Sequence, residues 1–96
     1  MIMSFANKLA EDLFDDRTTK EVRGFPASLL VRAQLKLHLL NQAEAIEDLR
    51  VPPGNRLEML KGNRTGFYSI RINEQWRLVF RWDKGNVFDV SVEDYH

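Results

Sequence analysis

Hydrophobic and polar positions alternate with two different periods along this chain, and the change falls at Pro52-Pro53-Gly54-Asn55. Before that break the spacing is helical. Ala6, Leu9, Ala10 and Leu13 share one face of a first helix, with Ser4 as its expected N-cap. Asp15-Asp16-Arg17-Thr18-Thr19 reads as a loop with a solvated acidic pair. Gly24-Phe25-Pro26 stops extended structure, and Pro26 suits the first turn of a second helix from about Ala27 to Gln42. That helix is apolar on two sides: Leu30, Ala33, Leu37 and Leu40 form one stripe, and Val31, Leu35 and Leu39 the other. The pattern predicts a helix sandwiched between a sheet and the first helix, the alternative being a partner chain on one stripe. His38 lies beside the second stripe and reads as structural. Ala43 to Leu49 predicts a short helical turn.

After the break the period is two. Leu57 to Lys61, Gly66 to Asn73, Trp76 to Trp82 and Val87 to Glu93 predict four strands. The gaps carry turn residues: Gly62-Asn63, Asn73-Glu74-Gln75 and Asp83-Lys84-Gly85-Asn86. Gaps this short favour an antiparallel meander. Met1 to Phe5 is a short strand or a lead-in. The predicted fold is α+β: one domain over residues 1–96, with two N-terminal helices on one face of a four- to five-stranded, mainly antiparallel sheet.

Alternation also sorts the sheet into faces. Trp76, Leu78, Phe80 and Trp82 should bury against the helices, as should Phe88, Val90 and Val92. The other face receives Arg77, Val79 and Arg81, with Asp89, Ser91 and Glu93. A regular strand would set the two guanidiniums about 13 Å apart. Arginine there matches the geometry of phosphate.

Charge sharpens this reading. The 96 residues carry 14 basic and 14 acidic side chains, so a wholly basic nucleic-acid-binding surface is excluded. The distribution is uneven. Residues 50–81 are net +5, from Arg50, Arg56, Lys61, Arg64, Arg71, Arg77 and Arg81 against Glu58 and Glu74. Residues 1–49 are net −2 and residues 82–96 net −3. A basic middle between acidic flanks predicts a local anion site, or else a charge-mixed solvated sheet face. The absence of cysteine excludes disulfide and thiolate chemistry. Met1 to Phe14 has neither the apolar run of a signal peptide nor that of a membrane span, and a cytoplasmic location is expected. The sequence holds no Gly-rich phosphate loop, no Gly-x-Ser-x-Gly elbow, and only two histidines, His38 and His96.

The sequence closes on Asp94-Tyr95-His96, straight after a core strand. Histidine can move protons near neutrality, and tyrosine can stack on a base or donate a hydrogen bond. Taken alone, three such residues carry little weight.

A set of segments in fixed order carries more. Val51-Pro52-Pro53-Gly54-Asn55-Arg56-Leu57-Glu58, Leu60-Lys61-Gly62, Tyr68-Ser69-Ile70-Arg71-Ile72-Asn73, Gln75-Trp76-Arg77 and Glu93-Asp94-Tyr95-His96 together resemble the HigB toxins, of the RelE-like superfamily of toxin–antitoxin systems. The resemblance runs over nearly the whole chain and is strongest from Asp48 to His96. It implies a toxin that cleaves messenger RNA on translating ribosomes without a metal or organic cofactor. It also implies a helix-turn-helix antitoxin, HigA, through which alone operator DNA is bound; no membrane is involved. Position by position, it places Lys61, Arg77, Asp94, Tyr95 and His96 in the catalytic site. Lys61 and Arg77 would stabilise charge, His96 transfer a proton, Asp94 orient His96 or act as base, and Tyr95 position the nucleotide. Arg56, Arg64, Arg71 and Arg81 would bind RNA. One departure stands out: some relatives have a histidine three residues before the lysine, and here that residue is Glu58. Glu58 would be a rival base or the structural partner of an arginine. Two other readings are a ParE-type toxin that inhibits gyrase without catalysis, and a partner-binding co-repressor without nuclease activity.

Overall fold

The computed structural model describes residues 1–95, so the expectation for His96 falls outside the described residues. Helices α1 (Lys8–Phe14), α2 (Lys20–Arg23) and α3 (Leu30–Gln42) come first. The strands β1 (Glu58–Met59), β2 (Phe67–Arg71), β3 (Trp76–Asp83) and β4 (Asn86–Asp94) follow. They form one antiparallel meander in the order β1-β2-β3-β4. The expected α+β class and meander are both found. Lys84 and Gly85, at φ +51° and +82°, make the tight β3–β4 turn, whose two central residues must adopt positive φ.

The core lies between the helices and one sheet face. Ala10 and Leu13 of α1 and Ala33, Leu37 and Leu40 of α3 pack with Ile70, Leu78, Phe80, Val87 and Val90, all at most 1% exposed. The first stripe of α3 is therefore the buried one. The second is not sandwiched, because Val31 and Leu35 are 69% and 64% exposed. The seven-residue α1 packs on β4 and α3 without covering Val31 and Leu35. His38 is exposed, with its ring 5.0 Å from that of Phe14.

Three local expectations are corrected. Ser4 does not cap α1. Asn7 does, accepting from the Ala10 N–H at 3.0 Å. The residues before Gly24 are helical, not extended: Thr19 caps the single turn of α2, and its hydroxyl also donates to the buried Asp12 carboxylate at 2.8 Å. The alternation of β4 breaks at a bulge. Val79 pairs with Ser91 but Arg81 pairs with Phe88, so β4 carries one extra residue there. Asp89 takes the left-handed conformation at φ +56°. Parity flips beyond it, so that Val87 enters the core and Phe88 joins Arg81 on the opposite face.

The outer edge of β4 is covered by the N-terminal segment. Ile2 and Phe5 form parallel bridges with Val87 and Val90. Val87 exchanges backbone hydrogen bonds with Met1 and Met3, and Val90 with Ser4 and Ala6. The Ser4 hydroxyl accepts from the Asp89 N–H at 2.8 Å. The Asn7 carboxamide completes the row, donating to the Val92 carbonyl and accepting from its N–H. Among the described residues, no helix is long and apolar enough to cross a membrane.

Candidate active site

The site residues gather on the sheet face away from the helices. Cross-strand pairing sets the layout: Glu58 lies opposite Ser69, Ser69 opposite Val79, Arg71 opposite Arg77, and Arg77 opposite Glu93. Directly paired residues share a face, so these side chains form one patch across four strands. The face is not the open basic surface that alternation suggests. Arg77 is only 5% exposed, and Val79, Ser69 and Ser91 are buried as well.

Arg77 is the centre of the patch. Its Nη2 donates to the Arg56 carbonyl at 2.8 Å, and its Nη1 meets Glu58 Oε1 at 3.5 Å. Arg56 sits in the left-handed region at φ +46°, where the turn Pro53–Asn55 delivers the chain into β1. That conformation aims its carbonyl at the sheet, and its own side chain is exposed. The Arg77 guanidinium carbon lies 5.4 Å from the centroid of the Tyr95 ring, within cation–π range. Asp94 and Tyr95 are held at the same end of the sheet. Gln75 Nε2 donates to Asp94 Oδ2 at 3.0 Å, and the Tyr95 N–H donates to the Gln75 carbonyl. Arg77, Glu58 and Tyr95 therefore converge, while Asp94 is paired with Trp76 at the same end of β4. Lys61 is exposed, just before the helical turn Gly62–Arg64 that follows β1.

The arginines expected to bind RNA differ among themselves. Arg64 makes a two-pronged ion pair with Glu93, at 2.9 and 3.0 Å, which ties the loop after Lys61 to β4. Burial alone would raise the Glu93 pKa; hydrogen bonds from Arg64 and Ser91, with the Arg64 charge, outweigh it and hold this carboxyl below its ordinary value. Arg81 lies over the Phe88 ring at 4.6 Å and meets Asp89 at 3.4 Å. Arg71 makes no ion pair among the described residues. Sequence reasoning missed Ser69. Its buried hydroxyl has no hydrogen-bond partner among the described residues, and neither do the buried Nε atoms of Arg71 and Arg77. Buried donors are normally satisfied, so three without a partner on one face stand out. The signal was in the pattern: Ser69 occupies a position of β2 that alternation puts on the Arg77 face.

Comparison with known proteins shows the family. Residues 3–96 match the family described as the RelE-like toxin of type II toxin–antitoxin system HigB. This chain belongs to the HigB family. As a family member it is a type II toxin, and such a toxin works opposite an antitoxin. It is 44% identical to Toxin HigB-1 of Vibrio cholerae, covering 99% of this chain and 98% of that protein. It is 33% identical to Endoribonuclease HigB of Proteus vulgaris over the full length of both. Among solved structures, a chain of the YoeB–YefM complex from Staphylococcus aureus superposes with a TM-score of 0.62 at 24% identity, covering 100% of this toxin and 98% of that chain. YafQ from E. coli does so with a TM-score of 0.60 at 14% identity, covering 98% and 91%. These two establish the likeness of fold.

Proposed function

We propose that this toxin is an endoribonuclease that cuts messenger RNA on the translating ribosome, with a site built from Lys61, Arg77, Asp94, Tyr95 and His96. The observation that carries the reading is the convergence around Arg77. A desolvated guanidinium, the Tyr95 ring and the Glu58 carboxylate meet beside three buried donors that have no hydrogen-bond partner among the described residues. Membership of the HigB family and the similarity to Endoribonuclease HigB support it.

The chemistry needs a base, an acid and cations. The ribose 2′-oxygen bonds to the adjacent phosphorus as the bond from phosphorus to the 5′-oxygen breaks. The products are a 2′,3′-cyclic phosphate and a 5′-hydroxyl end. Asp94 receives the 2′-hydroxyl proton, and His96 supplies one to the leaving 5′-oxygen. Arg77 and Lys61 stabilise charge on the five-coordinate phosphorane. Arg77 is suited to this because a fixed, dry cation needs no reorganisation as charge develops. Tyr95 stacks on the displaced base. Glu58, engaged by Arg77, positions that guanidinium instead of taking a proton. Ribosome dependence is supported by the exposure of Asp94, to which an outside surface would supply orientation. The antitoxin is a HigA-like helix-turn-helix protein that brings the toxin to operator DNA, all in the cytoplasm.

The test is mapping of RNA ends after brief expression of the wild type and of His96→Ala. Cuts phased to the reading frame and lost in the variant are expected. Growth arrest with intact messages would reject the nuclease and favour a gyrase-directed toxin of the ParE type.

A further inference from the structure

Beside the catalytic patch lies a cleft of about 430 Å³ between α3 and the end of β2, with Arg32, Lys36, Arg71, Asn73, Gly54 and Glu74 in its walls. Its electrostatics are unbalanced. None of its three cations forms an ion pair among the described residues. Arg71 stands directly opposite Arg77, a like-charge pair that disfavours the sheet unless something offsets it. Glu58 offsets Arg77, and nothing inside the described chain offsets Arg71. Lys36 is half-buried and touches the buried Asn55 carboxamide oxygen. Burial, and then the Arg32 charge, hold its pKa below the ordinary lysine value.

The donors are also free to act. Arg32 makes one long contact, 3.4 Å to the Ile72 carbonyl. Asn73 uses its oxygen to accept from the Gln75 and Trp76 N–H groups, which leaves its amide as a donor. A side chain at Gly54 would meet nothing within 4 Å, so the backbone lies open there. The one carboxylate of the cleft, Glu74, is exposed at the rim.

We infer that Arg32, Lys36 and Arg71 form a phosphodiester subsite that holds an RNA backbone phosphate beside the catalytic patch. The inference rests on the nuclease reading of the neighbouring patch. Three cations against one acid suit a monoanion, and two guanidiniums can each grip phosphate oxygens with two N–H groups. RNA is favoured over an acidic peptide because the cleft adjoins the catalytic patch twice. It meets it through the Arg71–Arg77 pair and through the turn from Gly54 to Arg56, whose carbonyl fixes Arg77. The phosphate belongs either to the message or to ribosomal RNA.

Binding of a 2′-O-methyl RNA oligonucleotide, which cannot be cut, is measured by fluorescence anisotropy across a salt series. Binding to empty ribosomes is measured in parallel. Arg32→Gln with Lys36→Gln keeps a donor for Asn55. For a message phosphate, the salt slope on the oligonucleotide becomes shallower by about 0.7 for each lost contact. For a ribosomal phosphate, that slope stays and the ribosome slope falls instead. Glu74→Gln tightens the same binding by about two- to fivefold, a gain that misfolding cannot mimic. The subsite is overturned if neither slope moves while the wild type still cuts messages. It is equally overturned if the double variant loses only its affinity for polyglutamate, which would assign the cleft to an acidic peptide. If the wild type neither binds nor cuts RNA, the nuclease reading fails and takes the subsite with it.

Discussion

Ser69 and Glu58 face one another across β1 and β2, yet their neighbours treat them differently. Ser69 is buried with an unpartnered hydroxyl, a situation that costs about 1–3 kcal/mol. Ser69→Ala should therefore melt no lower than the wild type, and higher if the hydroxyl is orphaned in solution too. The same variant should cut messages more slowly. Lower stability together with full activity would make Ser69 merely structural. Glu58 is about half exposed and bound to Arg77. Glu58→Gln keeps an acceptor for the guanidinium, so cleavage should fall by less than about tenfold. A fall of about 100-fold or more would mark Glu58 as the general base. Family resemblance picked out Arg77, Asp94 and Tyr95; in the structure Arg77 lies against the Tyr95 ring, and Asp94 pairs with Trp76. Strand alternation put Arg77 and Arg81 on the correct face. It could not show that Arg77 is desolvated, because burial there depends on the Arg56 carbonyl and on Tyr95 arriving from distant parts of the chain. The Arg64–Glu93 pair, 29 residues apart, was hidden for the same reason.

Among the elements, the legible ones have strong periods and strong turn residues. β2, β3 and α3 fall within a few residues of their expected bounds, because burial on one face fixes both period and register. α2 was hidden because four residues are too few to show a period. The β4 bulge was hidden because an aspartate at positive φ leaves no sequence mark as clear as a glycine would. α1 depends on a residue with two duties. Asn7 caps the helix and bonds both backbone groups of Val92. Asn7→Ala should cost about 1–2 kcal/mol, in the upper range for a lost cap, read from a denaturant melt. A loss within a few tenths of a kcal/mol would show that water replaces it.

For the whole molecule, with a radius of gyration of 12.3 Å, two carboxyls tie stability to pH. The Lys8 hydrogen bond, helped by the Thr19 hydroxyl and opposed by burial, holds Asp12 below its ordinary 3.8. Glu93 sits below its ordinary 4.5, where Arg64 and Ser91 prevail over burial. Both carboxyls therefore bind protons more readily in the unfolded chain. Their stabilisation is complete well above the ordinary values of 3.8 and 4.5 and is lost as pH falls through the folded values. The melting temperature should drop between about pH 5 and pH 3. The drop should be smaller in Asp12→Asn, measured from its own midpoint at neutral pH. An equal drop in the variant would place the acid sensitivity elsewhere.

The covered flank of β4 limits how an inhibitor can approach. An exposed strand edge invites a foreign chain to join by backbone pairing, and many proteins capture peptides in that way. Here Met1 to Asn7 already occupies the backbone groups of Val87, Asp89, Val90 and Val92, and the opposite margin of the sheet is the two-residue β1. An antitoxin segment that tried to extend the sheet at β4 would first have to peel this strap away, and with it the cap of α1. Backbone pairing by an inhibitor at β4 is therefore blocked for as long as the strap stays in place.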